Sequence, residues 1–269
     1  MEIIVPFSAS FQIRVIGLYC TGGETQSVSH CRGNTINRKR RYIKLFMNFR
    51  HEWKHEINAL DAQVIRMRMR HVMQTDVHAT NGSYLIRSQY FDNLTDKALR
   101  EKIDGVNKRE KFRMRYYNRD PSLIHLEKKS KVNGLCAKES VTITADEAEA
   151  IIRSDIAWMP KREEPLLAEL YGKMRGQGIR PRTIVDYIRD PFVYAPGNVR
   201  VTLDYDIRSG MQNTDFLNPD SVTVPVCPGI TILEVKWDAF LPEIIRDAVQ
   251  LPNRSSGAFS KYAACRMYG

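Results

Sequence analysis

Residues 110–130 read EKFRMRYYNRDPSLIHLEKKS, and the spacing inside this stretch decides the fold. Arg113 and Arg115 are separated by one residue, as are Glu127 and Lys129, and each pair sits among apolar or aromatic residues. In a strand, side chains alternate between faces, so each pair points the same way. Asn118-Arg119-Asp120-Pro121 carries turn residues, so the stretch predicts two strands, Glu110–Tyr117 and Ser122–Ser130, joined by a turn. The same spacing recurs in Glu52/Lys54, Tyr187/Arg189, Arg200/Thr202/Asp204 and Glu234/Lys236. A single such pair reads as a solvated strand face. Six together imply a dense, mostly cationic surface suited to a polyanion with a metal ion.

Working outward, further strands are predicted at Phe49–Ile57, Tyr84–Asp92, Leu135–Val141, Arg182–Arg189, Val199–Asp206 and Thr231–Trp237. Helices are predicted at Ala59–Gln74, Thr95–Ile103, Ala145–Arg153, Pro165–Arg175 and Phe240–Leu251, with Ala258–Tyr268 closing the chain. Leu60, Val64, Met67 and His71 mark one face of the first helix, with Arg66, Arg68 and Arg70 on a solvated face. Thr144 and Glu147 have capping-box spacing. The class is α+β. A flat sheet would leave the charged face in bulk water or against a helix. A closed antiparallel β-barrel of about eight strands with flanking helices gives that face a lumen.

The chain has 269 residues, 43% of them hydrophobic, and a formal net charge of +10, which together predict a folded protein with an anionic partner. Half of that charge comes from residues 1–46, which end near the run Arg38-Lys39-Arg40-Arg41. This stretch reads as a disordered or non-native extension, with a nucleic-acid or membrane-binding arm as the other reading, and residues 47–269 as the domain. Five widely spaced cysteines form no CxxC or Cys/His cluster, which predicts a reducing, cytoplasmic setting without a zinc site. No apolar run is long enough to span a membrane, and no signal peptide is read. The basic residues lack interleaved aromatic platforms, so nucleic acid is not the expected partner.

In order along the chain, HEWKHEI, YLIRSQYFD, LREKIDG, REKFRMRYYN, LEKKSKVNGLCAKE, RPRTIVDYIRDPFVY, VRVTLD, ILEVKWD and FSKYAACR resemble the VTC domain of polyphosphate polymerases, a branch of the triphosphate tunnel metalloenzymes. The likeness runs from about residue 49 to the end and favours the bacterial single-domain members. It implies a barrel whose basic lumen grips a triphosphate, with ATP and inorganic polyphosphate as partners. Transferred position by position, the phosphate grip is Lys54, Arg113, Arg115, Lys129, Lys138, Arg189 and Arg200, and Glu234 anchors Mn²⁺ or Mg²⁺. Ser260 and Lys261 match a polar pair near the product end. Glu52 and Lys236 share strand faces with Lys54 and Glu234 and join the substrate-binding set. The resemblance also leaves room for a membrane-protein partner that exports the product, which would hold the domain at the inner face of the membrane.

Phosphoryl transfer to an already ionised phosphate needs positioning and charge neutralisation and no strong general base. One departure stands out. Hydrolytic relatives begin with ExExK, and here Arg50 takes the place of the first carboxylate, in the same register as Glu56. A cation there favours a second phosphate over a metal-bound water. Three readings remain: a polymerase, a metal-dependent triphosphatase and a non-catalytic polyphosphate or phosphate sensor. By parity His125 faces the lumen and Lys128 faces out to the surface. Asp204 is expected to tie down Arg200 or Arg189, and Tyr90, Tyr116 and Tyr187 to pack the wall.

Overall fold

The structure is a computed structural model that describes residues 50–252 and 257–267. The expectations for residues 1–46, with Cys20 and Cys31, lie outside the described residues. The chain runs β1 (His51–Ile57), α1 (Ala59–Val72), β2 (Gln74–Thr75), β3 (Tyr84–Asp92), α2 (Lys97–Ile103), β4 (Arg109–Tyr117), β5 (Asp120–Val132), β6 (Leu135–Ile143) and α3 (Ala145–Ile152). It continues with α4 (Pro165–Gln177), β7 (Arg180–Tyr194), β8 (Val199–Ser209), β9 (Val224–Pro225), β10 (Thr231–Trp237), α5 (Glu243–Ala248) and α6 (Lys261–Met267).

Eight strands pair in the order β1-β10-β8-β7-β3-β4-β5-β6, all antiparallel. The two-residue strands β2 and β9 add to β7 and β8. The ends of the path meet at one bridge, where the Arg50 N–H donates to the carbonyl of Cys136 at 3.4 Å. The sheet thus curls on itself until its first and last strands touch.

Turn chemistry sets the register around the deciding stretch. Asn118 (φ 52°) and Arg119 (φ 61°) join Tyr117 to its partner Asp120, while Asn133 (φ 51°) and Gly134 (φ 82°) join Val132 to Leu135. Two positive φ values in a two-residue loop match the twist of a hairpin, and Asn-Gly adopts them at low cost. Both hairpins therefore place odd-numbered residues of β4 and β5 on one face.

Apolar residues pack the other face. Phe112, Met114, Tyr116 and Leu126 meet Ile151 of α3 and Leu167 and Leu170 of α4. Val201, Leu203, Leu233 and Val235 meet Ala62, Ile65 and Met69 of α1 and Ile245 of α5. Each fully buried side chain of this kind contributes about 1.5–3 kcal/mol. A third cluster is different. Ile86, Tyr90, Tyr187 and Ile232 share the face of the charged pairs, and they pack against Tyr262, Ala264 and Cys265 of α6. The last helix thus fills one part of the lumen. Its Tyr262 hydroxyl donates to Asp92 at 2.6 Å.

Three local expectations are corrected. The buried face of α1 is Ala62, Ile65 and Met69, whereas Leu60 (79% exposed), Val64 and Met67 look outward. Helix α5 begins only at Glu243, because Pro242 keeps the residue before it out of helical conformation. Helix α2 starts at Lys97, since Asp96 holds a left-handed conformation (φ 53°). No helix among the described residues is long and apolar enough to cross a membrane.

Candidate active site

The hairpin register assembles the cationic wall. Arg113 on β4 stands opposite Glu127 on β5, donating to it from Nε at 2.7 Å and approaching within 2.5 Å through the terminal nitrogen. It also donates to the Tyr90 hydroxyl at 2.8 Å. Arg115 donates to Ser88 Oγ at 3.1 Å and to the Tyr187 hydroxyl at 2.8 Å. Lys138 on β6 reaches Glu127 at 3.1 Å. Lys111, Lys129 and Lys138 are register partners across three neighbouring strands and form one rung of amines. Among the described residues neither Lys111 nor Lys129 forms an ion pair, although the same face holds several carboxylates.

The opposite wall mixes signs. Glu234 on β10 lies 2.7 Å from Lys236, 3.2 Å from Lys54 and 3.5 Å from Arg189. Glu52 pairs with Lys54 at 2.5 Å and with Lys236 at 3.6 Å, so two lysines bridge two carboxylates. Arg189 forks onto Asp204 at 2.6 and 2.7 Å. Lys261, the first residue of α6, reaches Asp204 at 2.5 Å and lies 4.6 Å from the centre of the Tyr187 ring.

Burial and neighbouring charge tune these groups strongly. Burial pushes the Glu234 carboxyl up, but Lys236, Lys54, Lys129 and Arg189 outweigh it and hold the group well below the carboxylate range. Glu127 is likewise held low against burial, chiefly by Arg113 and Arg115. Asp204 falls to about 2 because Arg189 and Lys261 overcome its burial. Burial, then Arg113 and Lys236, press the Lys129 ammonium well below its ordinary value. Burial brings Lys111 down to about 8, against the pull of Tyr90. Burial would raise the Tyr90 phenol, yet Arg113, Lys111 and Arg115 bring it down to about 7. Lys54 is raised despite burial by Glu234 and Glu52.

Of the residues singled out from sequence, Glu52, Lys54, Arg113, Arg115, Lys129, Lys138, Arg189, Glu234, Lys236 and Lys261 are brought onto the lumen face. Arg200 has the right parity but sits at the rim, with its side chain 54% exposed and 3.7 Å from Asp76. The Ser260 hydroxyl accepts from the Ala263 N–H at 3.3 Å and caps α6. Asp204 ties Arg189, one of its two expected partners. Arg50 is held at the seam by Asp238 at 2.7 Å. His125 is half-buried, 6.5 Å between ring centres from Tyr117. Lys128 faces outward, as its parity requires, but is buried against Glu169 at 2.6 Å instead of lying free on the surface. Tyr116 packs the wall and donates to the Phe216 carbonyl. Tyr90 and Tyr187 do more than pack, since both accept from lumen arginines. Sequence reading passed over Lys111, although the series Lys111, Arg113, Arg115 continues the same two-residue spacing.

The site also fits a divalent cation. Thr202 Oγ1, paired in register with Glu234, is buried and has no hydrogen-bond partner among the described residues. No group of three or more His, Cys, Asp or Glu gathers among the described residues. An ion there would be held by one or two carboxylates and by phosphate oxygens.

The antiparallel sheet, curled until its ends meet at the Arg50–Cys136 bridge, encloses a charged face of both signs. The sequence matches the VTC domain family over residues 49–268, and the chain belongs to that family, whose members are triphosphate- and polyphosphate-binding tunnel proteins. No curated protein matches the chain. Among solved structures, the PH1012 protein of Pyrococcus horikoshii OT3 is similar at 12% identity and a TM-score of 0.45, covering 80% of this chain and 98% of that one. A Bacillus halodurans protein provisionally described as an adenylate cyclase is similar at 15% identity and a TM-score of 0.41, with 77% and 95% covered. The PH1819 protein of P. horikoshii OT3 is similar at 12% and 0.36, with 74% and 84% covered.

Proposed function

We propose that the chain is a polyphosphate polymerase that transfers the γ-phosphate of ATP to a growing inorganic polyphosphate chain inside the lumen. The observation that carries this reading is the Lys111–Lys129–Lys138 rung beside Arg113 and Arg115. Lys111 and Lys129 are half-buried with no carboxylate partner among the described residues, which is costly for an ammonium, and a multiply charged phosphate chain offsets that cost. Arg113 and Arg115 present forked donors already oriented by Tyr90, Tyr187 and Ser88, which suits nonbridging phosphate oxygens. Lys54, Lys129, Lys138 and Lys236 act as point charges, and Arg189 is aimed by Asp204. Arg200 at the rim meets the nucleotide end, and Lys261 stands where the product leaves.

Glu234, with Glu52 beside it, would hold Mn²⁺ or Mg²⁺, and such an ion neutralises charge on phosphate oxygens during transfer. The seam position of Arg50 supports transfer over hydrolysis, because a guanidinium stands where a water-orienting carboxylate would be needed. The acceptor phosphate is ionised near neutral pH, so transfer asks for positioning and charge neutralisation and needs no strong general base.

The test uses the full chain with ATP and Mn²⁺ beside Glu234→Gln, following ADP, free phosphate and acid-stable polyphosphate together. The expected result is ADP with polyphosphate, lost by at least about 100-fold in the variant, as for removal of a main electrostatic stabiliser. ADP with free phosphate alone would make the protein a triphosphatase. Tight triphosphate binding without turnover would make it a sensor.

A further inference from the structure

The basic ladder continues past the lumen. On β4 and β5 the rung after Lys111–Lys129 is Arg109–Lys131, register partners on the same face. Residues two apart on a strand are separated by roughly 7 Å, so this rung lies one step further out. Lys131 is also paired with Cys136, the residue that bridges Arg50 at the barrel seam. A third cation arrives from another element. Lys102, in the last turn of α2, donates to the carbonyl of Ala258, and the neighbouring Gly257 N–H donates to the Lys54 carbonyl at 2.8 Å.

Lys102, Arg109 and Lys131 are half-buried, and among the described residues none of them forms an ion pair. Burial, then Arg109, Lys54 and Lys131, hold the Lys102 ammonium below its ordinary value, so these cations feel one another and the lumen lysine Lys54. Ordinary surface lysines spread apart or pair with carboxylates. Here the strand register and the α2 contact hold two lysines and an arginine together at the end of the barrel where α6 enters.

We propose that Arg109, Lys131 and Lys102 form an exit track that grips the finished part of a polyphosphate chain beyond the phosphate-transfer site. The proposal rests on the reading of the lumen as a polyphosphate site and adds the place where product leaves. Inorganic triphosphate held at the Lys111–Lys129 rung and the arginines is too short to reach the track. A long chain reaches both and is retained between transfer steps.

The test compares the full chain with its Lys102→Gln/Arg109→Gln/Lys131→Gln variant by calorimetry, using inorganic triphosphate and long-chain polyphosphate across a salt series. Triphosphate affinity should stay within about twofold. Long-chain affinity should fall by roughly tenfold or more, and its log–log salt dependence should flatten by about 2, given about 0.7 per lost phosphate contact on a single strand. The single variant Lys131→Gln, on one half-buried side chain, should move the same way by a smaller amount, which covers the case of a poorly folded triple variant. Unchanged long-chain binding, or an equal loss for both ligands, overturns the track. Failure of the unmodified chain to bind triphosphate at all overturns the lumen reading itself, and the track with it.

Discussion

Lys111 shows how one residue couples charge to ligand. Its ammonium, brought down to about 8 mainly by burial, has an ordinary value of 10.5. Between those two values the unfolded chain holds more protons than the folded one, so unliganded stability rises with pH from about 8 to 10.5 and the gain is absent below. Tyr90, at about 7 against 10.0, adds in the same direction over its own window. A bound triphosphate reverses the local field: it favours the ammonium and the neutral phenol. Near pH 8.5, triphosphate binding should therefore take up protons, measurable by calorimetry in two buffers of different ionisation heat. Lys111→Met should lower that uptake clearly and Tyr90→Phe should remove part of the remainder; equal uptake in Lys111→Met would sink the assignment. The sequence offered the spacing that places Lys111 on the lumen face. It offered no sign that the neighbouring carboxylates would be taken by other cations, because that depends on which strands become neighbours around the barrel.

At the scale of elements, α1 separates what periodicity can decide from what it cannot. Asn58 and Asp61 form a reciprocal capping box, so the start of the helix follows from local chemistry. The helix carries two apolar stripes, however. Leu60, Val64 and Met67 lie almost opposite Ala62, Ile65 and Met69 at 3.6 residues per turn, and either could face the sheet by pattern alone. The smaller Ala62 beside Ile65 and Met69 lets the helix approach the outer faces of β8 and β10 closely, and that stripe is buried. Ile65→Ala should then cost about 2–5 kcal/mol in chemical denaturation. Leu60→Ala should cost less than about 0.5 kcal/mol. The reverse order of losses would return the buried face to the Leu60 stripe. The strands were easier to read than this helix, because a charged i, i+2 pair labels a face directly. The two-residue strands β2 and β9 carried no such label, being defined only by their partners on β7 and β8.

For the whole molecule, apolar packing lies mostly outside the sheet and charge inside it. The clusters under α1, α3, α4 and α5 hold the barrel from without, and α6 packs its apolar side chains against Ile86, Tyr187 and Ile232 on the lumen face. Closure was legible because six charged strand faces could not all be left bare. The α6 plug was not, since the segment 258–268 gives no periodic signal that distinguishes an inner seat from an outer one. This division of labour separates stability from binding. Burial, Arg113 and Lys236 outweigh the pull of Glu234 and Glu52 on the Lys129 ammonium, so Lys129→Met should leave the melting temperature of the unliganded protein unchanged or higher, whereas Leu170→Ala, in the outer cluster, should lower stability by about 2–5 kcal/mol. Ligand reverses the ranking. Triphosphate at 100 times its dissociation constant should stabilise the native chain by about 2.7 kcal/mol, because it binds only the folded lumen. The same concentration should stabilise Leu170→Ala by nearly the same increment and Lys129→Met by much less, and the increment should shrink as salt screens the lumen mouths. Thermal melts with and without triphosphate give all three increments in one series. Equal increments in the native chain and Lys129→Met would place the anion elsewhere than on the lysine rung.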